Sequence, residues 1–299
     1  DRDQRSRPET FTSPVGAGQE DEVIWSTVGV DKFLNLKREP HEGFIVGFTG
    51  TADFGKLDRN FIKLSAAVNV PGVKFVVCSG DSQQHLIDEA KELGVLDRFE
   101  FMGRVPSILP YLARFDVFGY PLQPKHFGTC EQALGEAMAA GCVPVVMNNP
   151  TEKHIVKHME TGIIAMNYSE YSKSIEYLYW FNMDRGELSR DAREYAKKLY
   201  DLDNTVDKWN GVWQEMIEKP KADRVWDGKT AGQASPAELY IESLGGYPDI
   251  DIESQEIRKL FDTNPMFRSE SKGSVLQYLR FFPDDRVLQE WNKLAREVK

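Results

Sequence analysis

The stretch HFGTCEQALGEAMAAGCVPVVMNN, residues 126–149, decides the fold of this chain. A short loop closes on Gly128, and a run of strong helix formers follows at residues 131–140, until Gly141 ends it. The apolar run at residues 143–146 comes directly afterwards and predicts a buried strand. The first N–H groups of a helix lack partners and its dipole is positive there, so this loop–helix–strand unit predicts an anion site. A phosphate-bearing ligand is the first hypothesis.

Around this unit the chain alternates between short apolar runs and segments with helical spacing. Strands are predicted at residues 43–50, 73–80, 98–103, 116–121, 143–146 and 161–166. Such alternation predicts the α/β class, with a doubly wound, parallel, six-stranded Rossmann-like sheet. Because ligands of these sheets bind beyond the carboxyl ends of the strands, we expect the loops at Gly50, Gly80 and Gly103 to border a site.

The composition limits the classes of function. A net charge of −10 argues against nucleic acid or an anionic membrane as the main partner. The three cysteines, Cys78, Cys130 and Cys142, lack the spacing of a metal site, which predicts free thiols in a reducing compartment. No apolar run reaches bilayer length and no signal peptide is visible, so we expect a cytoplasmic protein without a transmembrane segment.

Four regions are predicted along the chain. Residues 1–24 are polar and read as a linker or a disordered lead-in, and residues 25–219 carry the alternating strands and helices. Residues 220–235 are rich in Lys, Asp and Gly and predict a second linker, and residues 236–299 predict a small, mostly helical appendage. No Met begins the sequence, which suggests a processed fragment or a part of a longer protein.

Three motifs carry a resemblance to one family. EAMAAGCVPVV at residues 136–146, GVLDRFEFMGRV at residues 94–105 and TGIIA at residues 161–165 are similar to the C-terminal, nucleotide-sugar donor domain of GT-B fold glycosyltransferases of the family 4 (group 1) type. The resemblance covers about residues 26–219 and implies half of a GT-B fold. It also implies a transferase that moves a sugar from a nucleotide-diphosphate donor to an unknown acceptor, with retention of the anomeric configuration.

The resemblance implies a donor site. Glu136 matches the second glutamate of the family's paired-glutamate motif and would bind the ribose, because a carboxylate accepts two hydroxyl hydrogen bonds at once. Lys56 falls where the family places a lysine that pairs with the donor's diphosphate. Further contacts with the phosphates, the sugar or the base are implied for Gly50, Thr51, Gly103, Val105, Gly128 and Thr129.

The chain departs from the family pattern in the loop after the first strand. Thr51 stands where the family has an arginine, directly after the glycine. This departure weakens the predicted hold on the leaving phosphates, unless Arg59 or Lys125 supplies the charge.

The second departure concerns the first glutamate of the paired motif. That position falls on Gly128 or on Lys125, depending on the alignment, and neither residue is acidic. Glu131 is the acidic residue of this segment that could replace it. We therefore expect Glu131, His126 and Lys56 at the catalytic centre, near the donor sugar.

Each of these side chains also has an ordinary structural explanation. Glu136 could be a helix-surface charge, and Lys56 could be a solvated lysine. Glu131 could merely complement the helix dipole, and His126 could be a plain turn residue.

The resemblance implies a mechanism as well. The nucleotide diphosphate leaves, and an oxocarbenium-like transition state is stabilised by positive charge near the departing phosphate. No metal and no other cofactor is expected, since Lys56 and the helix N-terminus would supply that charge.

The acceptor would bind to an N-terminal domain that is absent from this sequence. The expected partners are therefore a nucleotide sugar and an acceptor-binding domain, in the same parent protein or in another chain. Two alternatives stay open: a catalytically inactive GT-B half that binds a nucleotide or a partner, and a sugar-nucleotide epimerase with the same fold.

Overall fold

The chain folds into two compact units, Asp1–Lys219 and Pro220–Lys299, each with its own hydrophobic core. The structure is a computed structural model that describes residues 23–27, 29–124, 126, 131–220, 234–243, 256–263, 267 and 273–297. The predicted lead-in and the predicted second linker fall almost entirely outside these described residues.

A six-stranded sheet forms the centre of the first unit. Its strands are β1 (Phe44–Thr49), β2 (Val73–Cys78), β3 (Phe99–Gly103), β4 (Val117–Tyr120), β5 (Val143–Met147) and β6 (Ile163–Ala165). Neighbouring strands all pair in parallel, in the order β3-β2-β1-β4-β5-β6. The predicted doubly wound sheet is therefore confirmed, and every strand begins and ends within two residues of its predicted bounds.

Helices surround the sheet in the described part of the first unit. They are α1 (Asp31–Leu34), α2 (Phe61–Ala66), α3 (Gln84–Glu92), α4 (Leu109–Leu112), α5 (Gln132–Ala139), α6 (Glu152–Ile155), α7 (Tyr168–Trp180), α8 (Asn182–Leu199) and α9 (Leu202–Glu218). The central helix α5 begins one residue later than the sequence predicts, because Glu131 has a left-handed backbone with φ of 39°.

The order in which successive strands are added to the sheet reverses between β1 and β4, which lie side by side in its middle. All six residues of β1 are buried, as expected for a central parallel strand covered on both faces. At such a switch point the loops that leave the two strands diverge and open a crevice. The sequence therefore places the loops after β1 and β4 beside any ligand of this sheet.

Close packing of β1 leads to a prediction about stability. A Cβ atom on Gly47 would overlap the ring of Phe115, so we expect Gly47→Ala to lower the free energy of unfolding by about 1–3 kcal/mol. Gly186, inside α8, has nothing within 4 Å of an added Cβ, so Gly186→Ala should instead stabilise the chain by roughly 0.5–1 kcal/mol. Chemical denaturation of both variants measures the difference, and equal effects would contradict this packing.

Two buried cysteines predict how stability changes at alkaline pH. Burial raises the pKa of Cys78 to about 12 and that of Cys142 to about 11, from an ordinary value of 9.0. Above pH 9 the thiols ionise in the unfolded chain but stay neutral in the folded one. Their contribution to the free energy of unfolding is therefore complete below pH 9 and is lost as the pH rises towards 11–12. Denaturation at several pH values should show this loss, with a shallower slope for the Cys78→Ala/Cys142→Ala double variant. If the free energy of unfolding falls equally steeply with pH in the double variant, the two thiols do not cause the loss.

The described part of the second unit is helical, which confirms the predicted appendage. Its helices are α10 (Pro236–Ser243), α11 (Glu256–Thr263), α12 (Val275–Phe281) and α13 (Arg286–Glu297). Aromatic rings fill its core, where Tyr240 lies 5.2 Å from Phe267 and 6.0 Å from Trp291 between ring centroids. Among the helices that the structure describes, none combines the length and the apolar character needed to cross a bilayer.

Candidate functional site

A cleft of about 480 Å³ opens at the carboxyl ends of β1, β2 and β3, beside the first turns of α5. Five of the residues that the sequence predicts to bind the donor line this cleft together: Gly50, Thr51, Gly103, Val105 and Glu136. They come from three separate parts of the chain, and the parallel sheet brings them to one edge. This edge is where doubly wound sheets bind their ligands.

Glu136 places a half-buried carboxylate on the wall of the cleft. Burial raises the pKa of Glu136 above its ordinary range, and the charge of Lys32 partly opposes that shift. A helix-surface carboxylate surrounded by water would not be desolvated in this way. The environment therefore favours a binding role over a plain surface charge.

Arg104 is a residue of the cleft that the sequence analysis did not single out. It is the one positively charged side chain among the described residues that line the cleft, whereas Asp81 and Glu136 are acidic. Its Nε atom lies 3.2 Å from the position that a Cβ on Gly80 would take. The signal in the sequence is that Arg104 directly follows Gly103, at the end of a predicted strand on the ligand edge.

The loop after β1 is fixed by contacts with its neighbours. The Ala52 amide donates to Asp81 Oδ2 at 3.2 Å, and the Ala52 carbonyl lies 3.0 Å from Nε2 of His85. The guanidinium of Arg59 lies 5.4 Å from the ring centroid of Phe54. Arg59, one of the two proposed substitutes for the family's arginine, thus contacts this ring and is not among the described residues that line the cleft.

Lys56 pairs with Glu131 at the N-terminus of α5. The two charges lie 3.0 Å apart, Nζ to Oε2, and the Tyr120 hydroxyl donates to the same oxygen at 2.5 Å. The side chain of Glu131 is fully buried and that of Lys56 is 18% exposed. Burial and the adjacent Glu131 carboxylate raise the pKa of Tyr120 well above 10, so this hydroxyl stays a donor at neutral pH. The ammonium group of Lys56 therefore forms an ion pair with Glu131, and Lys56 is not among the described residues that line the cleft.

Pairing between two loops explains how Lys56 reaches Glu131. The Gln123 amide donates to the Lys56 carbonyl at 3.0 Å, and Gln123 Nε2 donates to the Gly55 carbonyl at 2.5 Å. Leu57 and Leu122 form an antiparallel bridge beside these bonds. The loop after β1 is thus bound to the segment after β4, which leads into α5 and Glu131.

Two features of Glu131 cost free energy in the folded state. Its left-handed backbone is uncommon for a residue other than glycine, and its Oε1 atom has no hydrogen-bond partner among the described residues. Costs of this kind cluster at functional sites, where the surrounding structure holds them in place.

His126 lies between two buried carboxylates. Its Nε2 atom is 3.1 Å from Oε2 of Glu152, and its Nδ1 atom is 3.7 Å from Oε1 of Glu131. Asn149 donates from Nδ2 to Oε1 of Glu152 at 3.0 Å and to the Leu122 carbonyl at 3.0 Å. The three predicted catalytic residues, Lys56, Glu131 and His126, therefore do meet in one cluster. The sequence analysis missed Glu152 and Asn149, although both follow β5 on the ligand edge.

Some of the predicted site lies outside the described residues. Gly128 and Thr129 belong to this part of the chain, as do Phe127, Cys130 and Lys125. Their implied contacts with the donor stay predictions.

Comparison with known proteins gives a family and a fold. Residues 32–199 match the family described as "Glycosyl transferases group 1". Over 122 residues the chain is 30% identical to the GDP-Man:Man(3)GlcNAc(2)-PP-Dol alpha-1,2-mannosyltransferase of Dictyostelium discoideum, a match that covers 40% of this chain and 24% of that protein. It is 24% identical over 143 residues to an uncharacterized glycosyltransferase of Haemophilus influenzae, covering 46% of this chain and 38% of the relative.

Two solved structures share the fold at low identity. HepE of Anabaena, solved in complex with UDP, has a TM-score of 0.55 and 17% identity, over 67% of this chain and 59% of that one. Sucrose-phosphate synthase from Thermosynechococcus elongatus has a TM-score of 0.57 and 16% identity, over 69% of this chain and 57% of that one. The matched region thus spans less than three fifths of each structure and less than two fifths of each curated relative.

Proposed function

This chain belongs to the group 1 glycosyl transferases, and from that premise we propose that its cleft binds the nucleotide diphosphate of a sugar donor whose sugar is transferred with retention of configuration. The observation that carries the proposal is the convergence of five predicted donor-binding residues, Glu136 among them, on one cleft. The fold alone does not specify a ligand. The desolvated carboxylate of Glu136 suits the hydroxyls of a ribose, and the glycine-containing loops after two strands suit its phosphates.

In this proposal the residues that line the cleft and the Lys56–Glu131 ion pair have different roles. Glu136 accepts the ribose hydroxyls, and the loops at Gly50 and Gly103 allow the phosphates and the base to approach the backbone. The Lys56–Glu131 pair lies at the N-terminus of α5, and there we expect the departing diphosphate and the sugar to meet. The positive N-terminus of α5 would stabilise the leaving group without a metal ion, and Lys56 would add to it only by transferring its contact from Glu131 to the phosphates.

The acceptor would bind elsewhere. The matched region spans less than three fifths of the structures that share its fold, so an acceptor-binding region in the parent protein or in another chain is part of the proposal. The buried free thiols of Cys78 and Cys142 and the net charge of −10 favour a reducing, cytoplasmic location and argue against a nucleic-acid partner.

Titration of the chain with UDP, GDP and ADP, and with their glucose and mannose conjugates, tests the proposal. We expect micromolar affinity for one of the three nucleotides. Glu136→Ala should weaken that affinity at least roughly 10-fold, the change expected for hydrogen bonds to a charged group. Glu187→Ala removes an exposed carboxylate from α8 and should leave the affinity unchanged. Absence of binding to all three nucleotides would refute the proposal.

The raised pKa of Glu136 predicts how donor binding depends on pH. The ionised carboxylate accepts hydrogen bonds from the ribose hydroxyls more strongly than the protonated acid does, so affinity should be complete above this pKa and should fall as the pH drops through it. Because burial raises the pKa, the loss begins at a higher pH than for an exposed glutamate. The nucleotide sugar is the appropriate probe, since its diphosphate does not change charge in this range. Calorimetry between pH 7 and pH 4.5 measures the effect, which Glu136→Gln should abolish.

A second candidate function is a non-catalytic GT-B half that binds a nucleotide or a partner. Thr51 in place of the family's arginine and the commitment of Lys56 to Glu131 favour it. Nucleotide binding without donor turnover, in the presence of the acceptor-binding region, would identify this function.

A further inference from the structure

Arg104 is a charged side chain of the cleft to which the proposed function gives no role. Three charged side chains are among the described residues that line the cleft: Arg104, Asp81 and Glu136. A nucleotide sugar adds a negatively charged diphosphate to these two carboxylates, and the N-terminus of α5 offers only about half a positive charge against it. A full positive charge on the cleft wall therefore favours donor binding, and the guanidinium of Arg104 carries one.

Two cations follow β1 in the chain, but both are engaged elsewhere. Nζ of Lys56 lies 3.0 Å from Oε2 of Glu131, and the guanidinium of Arg59 lies 5.4 Å from the ring centroid of Phe54. Neither side chain is among the described residues that line the cleft. Arg104, by contrast, is exposed and forms no hydrogen bond or ion pair with any residue that the structure describes. Its charge is therefore free to meet a ligand.

The side chain of Arg104 extends from the end of β3 towards the loop after β1. Its Nε and Nη2 atoms lie 3.2 and 3.4 Å from the position that a Cβ on Gly80 would take, and Gly80 follows β2. Since the strand order is β3-β2-β1 and neighbouring strands lie about 4.8 Å apart, the loop that carries Thr51 is one strand further along. Asp81 does not hold the guanidinium back, because its Oδ2 atom accepts from the Ala52 amide at 3.2 Å.

We propose that Arg104 binds the diphosphate of the donor in this chain, in place of the arginine that the family carries where Thr51 stands. A guanidinium presents its N–H donors in a planar fork, which suits two phosphate oxygens at once. The family resemblance gives roles to Gly103 and Val105 but none to the side chain between them. This inference rests on the proposed function, and it moves the cation for the phosphates from the loop after β1 to the end of β3.

Two affinities of one variant show which part of the donor Arg104 contacts. The ligands are the nucleoside diphosphate that binds best among UDP, GDP and ADP, and its nucleoside, both titrated by NMR. We expect Arg104→Gln to weaken binding of the diphosphate at least roughly 10-fold, as for the loss of hydrogen bonds to a charged group, and to leave the affinity for the nucleoside unchanged. Arg190→Gln, which removes an exposed arginine from α8, should change neither affinity. Equal weakening of both ligands would place Arg104 at the base and overturn the inference.

Two further variants test whether the charge itself matters. Arg104→Lys keeps the positive charge and should retain more affinity for the diphosphate than Arg104→Gln does. Thr51→Arg restores the family's arginine, so it should recover part of the affinity that Arg104→Gln loses. An affinity for the diphosphate that Arg104→Gln leaves unchanged, an equal loss in the Lys and Gln variants, or a loss that Thr51→Arg does not reduce would overturn this inference alone. A wild-type chain that binds none of the three nucleotides would overturn the proposed function as well.

Discussion

Lys56→Met is expected to lower the free energy of unfolding by about 3 kcal/mol or more, because it leaves the carboxylate of Glu131 buried without its counter-charge. The ion pair spans 3.0 Å, and the Glu131 side chain is fully buried. Methionine conserves the volume of the lysine stem, so loss of charge dominates the effect. Chemical denaturation followed by circular dichroism measures it.

A second ion pair in the chain provides the matched control. Lys63 lies 3.7 Å from Glu89, but its side chain is 61% exposed, so Lys63→Met should cost at most about 1 kcal/mol. The double variant Lys56→Met/Glu131→Gln should recover much of the stability, since it removes both buried charges. If Lys56→Met and Lys63→Met lower the free energy of unfolding equally, the Lys56–Glu131 ion pair is not desolvated.

The largest expected effect on activity comes from Glu131→Gln. We expect this change to lower the rate of sugar transfer at least about 100-fold, because a preorganised charge next to the reacting sugar contributes on that scale. Glu131 is not among the described residues that line the cleft, so the affinity for the bare nucleoside diphosphate should stay close to that of the wild type. The rate is measured as nucleotide release from the donor, with the acceptor-binding region present.

The control for Glu131→Gln is Glu187→Gln, which removes a carboxylate from the surface of α8. That variant should transfer sugar at the wild-type rate. If Glu131→Gln also keeps the wild-type rate, Glu131 serves only to complete the ion pair with Lys56, and another residue replaces the family's first glutamate.

The fold could be predicted because its signals are local. Parallel strands buried on both faces read as continuous apolar runs, as in β1, and glycines such as Gly50 and Gly103 mark where strands end. Once the sheet was predicted, the alignment of these loops at one edge followed from geometry. For that reason five of the residues that line the cleft could be identified from the sequence, whereas Arg104 was not.

The side-chain cluster could not be predicted in the same way. The pairing of Lys56 with Glu131 depends on how the loop after β1 binds to the segment after β4, and nothing in the local sequence encodes that register. The family resemblance implied that Lys56 pairs with the diphosphate, whereas in the structure its ammonium group forms an ion pair with Glu131. The contact between His126 and Glu152 likewise joins residues 26 positions apart across two loops.

The departure at Thr51 shows a different limit. The family pattern raised the question of which cation replaces the missing arginine, and it offered Arg59 or Lys125. The structure places Arg59 on the ring of Phe54, and it brings Arg104 to the cleft from the end of β3. The position of Arg104 after a strand on the ligand edge could have been read from the sequence, but the contact of Arg59 with Phe54 depends on how the loop after β1 packs.

The measurement that tests these conclusions most directly is a crystal structure of the chain with the nucleotide sugar that binds most tightly. The ribose hydroxyls should lie within hydrogen-bond distance of Glu136, and the sugar should lie against Glu131 and His126, with the diphosphate between the two groups. A nucleotide bound in the cleft with its sugar directed away from Glu131 would refute the role of the buried cluster. A nucleotide bound away from Glu136 would contradict the donor site itself.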